Sequence, residues 1–115
     1  PCSALGTFKR NPDVTTKVDQ AQIKKHQKTQ IDILEKSLKI LKKNGFLIYI
    51  VCSFHPFETI DVIDKIIQKH NNIELHDIKS DKMIKRKNGY FINPLKFKNF
   101  GGSDIFFVSV LEKKR

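Results

Sequence analysis

Cysteine is scarce in this chain: only Cys2 and Cys52 occur among 115 residues. Two thiols are too few for the disulfide framework of a small secreted domain, and their separation has no zinc-type spacing. No metal site is expected. No apolar run reaches the ~18 residues of a membrane span, and no secretory leader opens the chain. These absences predict a soluble, cytoplasmic protein with free thiols and no membrane partner. A phosphate-cradling glycine loop is also missing, because Gly101-Gly102 lacks the rest of that pattern and opens no helix. Internal repeats are absent, and the length leaves room for one domain.

Acidic residues are in short supply. Twelve Asp and Glu stand against 22 Lys and Arg, a formal net charge of +10. Such an excess attracts a polyanion, most simply RNA or DNA. The heavy use of Lys, Ile and Asn that accompanies an AT-rich genome produces the same count. With 39% hydrophobic and 30% charged residues the chain is globular rather than disordered.

What the chain does have is one dense apolar stretch, Phe46-Leu47-Ile48-Tyr49-Ile50-Val51, which follows Asn44-Gly45 and runs into Cys52, Ser53 and Pro56. A short apolar run between turn signals predicts a strand buried on both faces, as in a helix-covered parallel sheet. Ligands collect at the carboxyl ends of such strands, which is where Cys52 and Ser53 fall. Before it, Pro1 to Thr16 reads as a loop carrying Lys9 and Arg10. A helix capped near Asp19 is predicted to run to about Lys43, with Ile23, Gln27, Ile31, Leu34, Leu38 and Leu41 as its apolar stripe. A second helix is predicted from about Phe57 to His70, with Pro56 in its first turn. Ile73–Ile78 alternates as a strand, and Lys79–Asn88 reads as a charged, mobile connection. Gly89–Pro94 is a short extended segment, Ile105–Leu111 a last apolar strand, and Glu112–Arg115 a polar tail. The order is that of half an open α/β sheet, with the 46–51 strand lacking a neighbour on one edge.

Cys52 has two readings. It is a small buried hydrophobe, or it is a nucleophile whose thiol a following helix N-terminus would activate. His55 invites a Cys–His hydrolase reading, but no third group orients its ring.

Pro1-Cys2-Ser3-Ala4-Leu5-Gly6-Thr7, Arg10-Asn11-Pro12-Asp13, Tyr49-Ile50-Val51-Cys52-Ser53, Pro56 and Gly101-Gly102-Ser103-Asp104-Ile105-Phe106-Phe107 occur in this order. Together they resemble the RsmB/Nop/Sun-type RNA (cytosine-5)-methyltransferases over essentially the whole chain. The resemblance implies a class I (Rossmann-like) α/β methyltransferase sheet. Its last strand would run antiparallel and lie inserted between the other two. It implies S-adenosyl-L-methionine as cofactor and RNA as partner, ribosomal RNA first and transfer RNA second. Cys52 would be the nucleophile that attacks the cytosine ring, and Cys2 the second cysteine that releases product. Lys9 and Arg10 are candidate phosphate contacts.

The chain begins at Pro1 without an initiator Met, so residues 1–115 are expected to be a partial catalytic domain. By the family pattern, the main cofactor loops and an acidic residue two positions before Pro1-Cys2 lie outside it. The piece alone would then bind little cofactor and not turn over. The sequence departs from the family pattern at Ala4, where Gly is usual, at Thr59-Ile60 in place of Asn-Glu, and at Ile105 in place of Gly. The alternative is a non-catalytic, basic RNA-binding remnant of such an enzyme.

Overall fold

The computed structural model describes residues 1–114, so the final residue of the polar tail lies outside the described residues. A 3₁₀ turn at Leu5–Thr7 and a short helix α1 (Val14–Lys17) precede the long helix α2 (Gln20–Ile40). Then come β1 (Phe46–Val51), a 3₁₀ turn at Pro56–Glu58, and α3 (Ile60–Lys69). The chain closes with β2 (Ile73–Leu75), β3 (Met83–Arg86), β4 (Gly89–Ile92), a 3₁₀ segment at Pro94–Phe100 and β5 (Phe107–Lys113).

Asp19 caps α2 as expected, its carboxylate accepting from the Gln22 amide at 2.8 Å. The other end stops earlier than the run of lysines predicts. Leu41 is already extended, and Asn44 takes a left-handed φ of 61°. The cation that satisfies the last carbonyls is Lys113, from the far end of the chain, donating to Leu38 and Leu41 at 2.8 Å each. The second predicted helix is split at Thr59 (φ −119°, ψ −97°) into the 3₁₀ turn and α3. Its fully buried stripe is Val62, Ile63 and Ile66.

β5 lies in the middle of the sheet. On one edge it pairs antiparallel with β1, and on the other with β4 and β2. β1 and β2, both antiparallel to β5, therefore run the same way, with the inserted last strand between them. The expected topology holds. The segment read as a mobile connection instead contains β3, which forms a hairpin with β4; its Lys85 and Arg86 are strand residues on an exposed face. Charge hid the strand, because a wet edge strand need not look apolar.

β1 is buried on one face only, which corrects the two-faced expectation. Tyr49 and Val51, with Leu47 partly buried beside them, join Leu34, Leu38, Val62, Ile63, Ile66, Phe107 and Leu111 in the core. Phe46, Ile48 and Ile50 alternate outward and stay 51–58% exposed. Both helices lie on the inner side, so an uninterrupted apolar run here marks a strand whose outer face is uncovered. No helix among the described residues is long and apolar enough to cross a membrane.

Candidate active site

The carboxyl end of β1 delivers Cys52 to a point where two other segments converge. The first is the loop at Pro1–Gly6, held there by the Gly6 amide donating to the Cys52 carbonyl at 2.9 Å. The second is the approach to β5, whose Ile105 amide donates to the Gly6 carbonyl at 2.9 Å. A side chain on Gly6 would put its first carbon 2.0 Å from the Ile105 carbonyl oxygen, so only glycine permits this three-layer contact. The consequence is that Cys2 Sγ and Cys52 Sγ, 50 residues apart in sequence, stand 3.4 Å from each other. Both thiols are free and half-buried.

A buried carboxylate fixes the pair. Glu58, in the 3₁₀ turn after β1, is fully buried. One of its oxygens accepts from the Ser3 amide at 2.7 Å. The other accepts from the Ser3 hydroxyl at 2.6 Å and the Ser53 hydroxyl at 2.5 Å. Each serine directly follows one of the cysteines, so a single acid clamps both backbones beside the sulfurs. The Tyr49 hydroxyl donates to the Glu58 carbonyl at 2.7 Å and locks the turn onto the strand. Sequence reading gave Glu58 no role in the site. The doubled Cys-Ser and an acid six residues past Cys52 were the available signal.

The Cys52 thiol is not activated by a helix end. Burial pushes it up to about 11, aided by the hydrogen bond and charge of Cys2. The expected lowering fails because α3 begins only at Ile60, beyond the 3₁₀ turn. A thiol alkylates as thiolate, so Cys52 is expected to react slowly with iodoacetamide at mildly alkaline pH. Cys2→Ala removes two of the raising influences, and the Cys52 rate at that pH rises while its midpoint moves down from about 11 towards the ordinary 9.0. A midpoint unmoved by Cys2→Ala contradicts the coupling.

His55 is occupied elsewhere. Its Nδ1 accepts from the Phe57 amide at 3.1 Å, and its ring packs edge-on against Phe57 at 4.8 Å, which removes the hydrolase reading. Lys9 and Arg10 follow the Leu5–Thr7 turn and line an open groove of about 330 Å³ with Gly101, Gly102, Ser103 and Asp104. Arg10 Nε lies 3.0 Å from both Asp104 oxygens, and its side chain is still 69% exposed. Asp104 directly precedes Ile105, whose amide is bonded to the Gly6 carbonyl, and the Gly6 amide is in turn bonded to the Cys52 carbonyl, so the groove adjoins the Cys52 end of β1. No group of three or more metal-ligating side chains occurs among the described residues.

Ala4 carries a left-handed backbone, φ 59° and ψ 24°. That conformation costs a residue with a Cβ ~1–2 kcal/mol, against ~0.5–1 kcal/mol of extra chain entropy lost by glycine. Ala4→Gly is therefore expected to raise the unfolding free energy by about 0.5–1 kcal/mol in a urea titration; a loss of stability contradicts it.

The family model for 16S rRNA methyltransferase RsmB/F matches residues 1–112. A ribosomal RNA small subunit methyltransferase B from Photorhabdus laumondii is 30% identical over 114 residues, spanning 99% of this chain and 25% of that protein. A tRNA (cytosine(34)-C(5))-methyltransferase from Drosophila melanogaster is 35% identical over 68 residues, 59% of this chain and 9% of that one. Among solved structures, a methyltransferase homolog protein from Pyrococcus horikoshii superposes with a TM-score of 0.75 at 26% identity, covering 98% of this chain and 36% of that one. The structure titled PH0851 superposes at 0.85 and 24% identity, over 98% of this chain and 25% of that one, which supports the fold. The chain thus spans about a quarter of the length of the bacterial relative.

Proposed function

Since the chain belongs to the RsmB/F family of 16S rRNA methyltransferases, we propose that it is the carboxy-terminal part of an RNA (cytosine-5)-methyltransferase catalytic domain. Its RNA would be ribosomal, or transfer RNA as in the Drosophila relative's name. The observation that carries this reading is the 3.4 Å approach of two sulfurs from two separate motifs. A merely structural pair of core cysteines has no need of a shared carboxylate clamp and an adjoining cationic groove.

The chemistry asked of these residues is specific. Cys52 Sγ bonds to carbon-6 of the cytosine, and the ring electrons move to carbon-5, which becomes the methyl acceptor. Burial raises its thiol to about 11, so a base has to take that proton before Sγ attacks. With a methyl group on carbon-5, loss of the carbon-5 proton to a base would re-form the double bond and expel Sγ as thiolate. Cys2, against the same sulfur, stands beside the bond that must break. The target base reaches the pair only if it leaves its stack.

S-adenosyl-L-methionine, the family's methyl donor, finds no fitting cradle in these residues. Gly101 and Gly102 face open space and a lysine, and no helix among the described residues starts from them.

The test is covalent trapping with the full-length protein. RNA containing 5-fluorocytidine retains fluorine where the proton would leave, so the adduct persists. Cys52→Ala is expected to abolish it. Cys2→Ala is expected to accumulate adduct with ordinary RNA. If the two variants behave alike, the division of roles is wrong.

A further inference from the structure

Three exposed phenylalanine rings, of a kind folding would ordinarily bury, lie on or against the two segments that line the groove. Phe8, which ends the Leu5–Thr7 turn and precedes Lys9, is 40% exposed. Phe54, two residues past Cys52, meets it edge to face at 5.9 Å and 88°. Phe100, at the other wall, is 84% exposed and immediately precedes Gly101 and Gly102, both with left-handed φ near 84–88°. Those glycines turn the chain sharply, and Phe100, next in sequence to the groove-lining Gly101, stays exposed rather than folded into the sheet. The two walls are held together by the Ile105-to-Gly6 hydrogen bond.

Charge decides what such rings are for. Lys9 and Arg10 line the groove, and Lys96 and Lys98 are exposed on the same 3₁₀ segment as Phe100. An apolar protein partner is poorly served by four cations around isolated rings. A single strand of nucleic acid needs this combination: cations that follow the phosphates and aromatic faces on which unpaired bases stack. We propose that Phe8 and Phe100 are base-stacking residues, which hold unpaired RNA bases on the two sides of the groove, with Phe54 bracing Phe8 from its edge. This rests on the reading above for which nucleotide enters the cysteine cleft, but the binding itself requires no chemistry. It assigns the chain a preference for unpaired RNA around the target.

The experiment measures binding of fluorescein-labelled oligocytidine to the full-length protein by anisotropy over a salt series. Phe8→Leu and Phe100→Leu keep an apolar side chain and remove the ring. Each is expected to weaken binding about five- to a hundredfold with the salt slope unchanged. Phe8→Tyr and Phe100→Tyr are expected to restore it. Lys9→Gln instead lowers the slope of log affinity against log salt by about 0.7, the loss of one phosphate contact to a single strand. Leucine variants that bind like the unmodified protein overturn the proposal, as does a loss that tyrosine fails to restore. Persistent ring dependence without any Cys52 adduct on 5-fluorocytidine RNA would overturn the methylation reading and leave this one standing.

Discussion

Glu58→Ala is expected to lower the unfolding free energy by about 3–5 kcal/mol, among the largest effects of any substitution in the chain. The carboxylate is fully buried and receives the Ser3 amide, the Ser3 hydroxyl and the Ser53 hydroxyl. Alanine leaves all three donors in a space water does not reach, and adds a cavity. Glu58→Gln separates geometry from charge. Its amide oxygen can still take the Ser3 N–H, while its NH₂ group donates to two hydroxyls that rotate to accept. Only about 1 kcal/mol should then be lost. Urea titration of both variants checks the contrast. An alanine variant as stable as the glutamine one removes the clamp from the account.

Gly6→Ala carries the second large effect. The three nearest atoms a methyl group would meet are all backbone: the Ile105 oxygen at 2.0 Å and the Cys52 carbonyl carbon and oxygen at 2.9 Å. None can swing away as a side chain would, so the loop bearing Cys2 has to lift from β1. The destabilisation should be about 2–3 kcal/mol. The sharper readout is at the sulfurs. Diamide takes up the two thiol hydrogens and leaves a disulfide when the thiols are neighbours. It is expected to couple Cys2 to Cys52 readily in the unmodified chain, where they are 3.4 Å apart, and slowly in Gly6→Ala. Equal coupling rates, followed by mass spectrometry of the free thiols, contradict the role given to Gly6.

Much of the frame was legible residue by residue. Asp19 before a 3–4 periodic stripe marks the start of α2 because the cap and the period are local. The Phe46–Val51 strand, with Cys52 at its tip, follows from an apolar run between turn signals. The family resemblance, carried by Pro1-Cys2-Ser3 and Cys52-Ser53, supplied the antiparallel insertion of β5. β3 went unread because Met83–Arg86 is short, half charged and set among charged neighbours, and gains its strand geometry from pairing with β4. The thiol of Cys52 went wrong for a related reason. Whether a helix dipole reaches a sulfur depends on where the helix axis starts, and one irregular residue, Thr59, moved that start to Ile60.

By itself, then, the sequence determined which residue types meet the chemistry: two cysteines, each followed by a serine, on two segments with their own local conformational signals. Only tertiary structure decided that the sulfurs touch, that Glu58 ties both serines, and that Lys9 and Arg10 line one groove with Gly101 and Asp104. Local preferences act over a few residues along the chain. The sulfur pair and the Ser3–Glu58 bonds join positions 50 and 55 apart, and exist only once the fold has brought those segments together and burial favours pairing their polar groups.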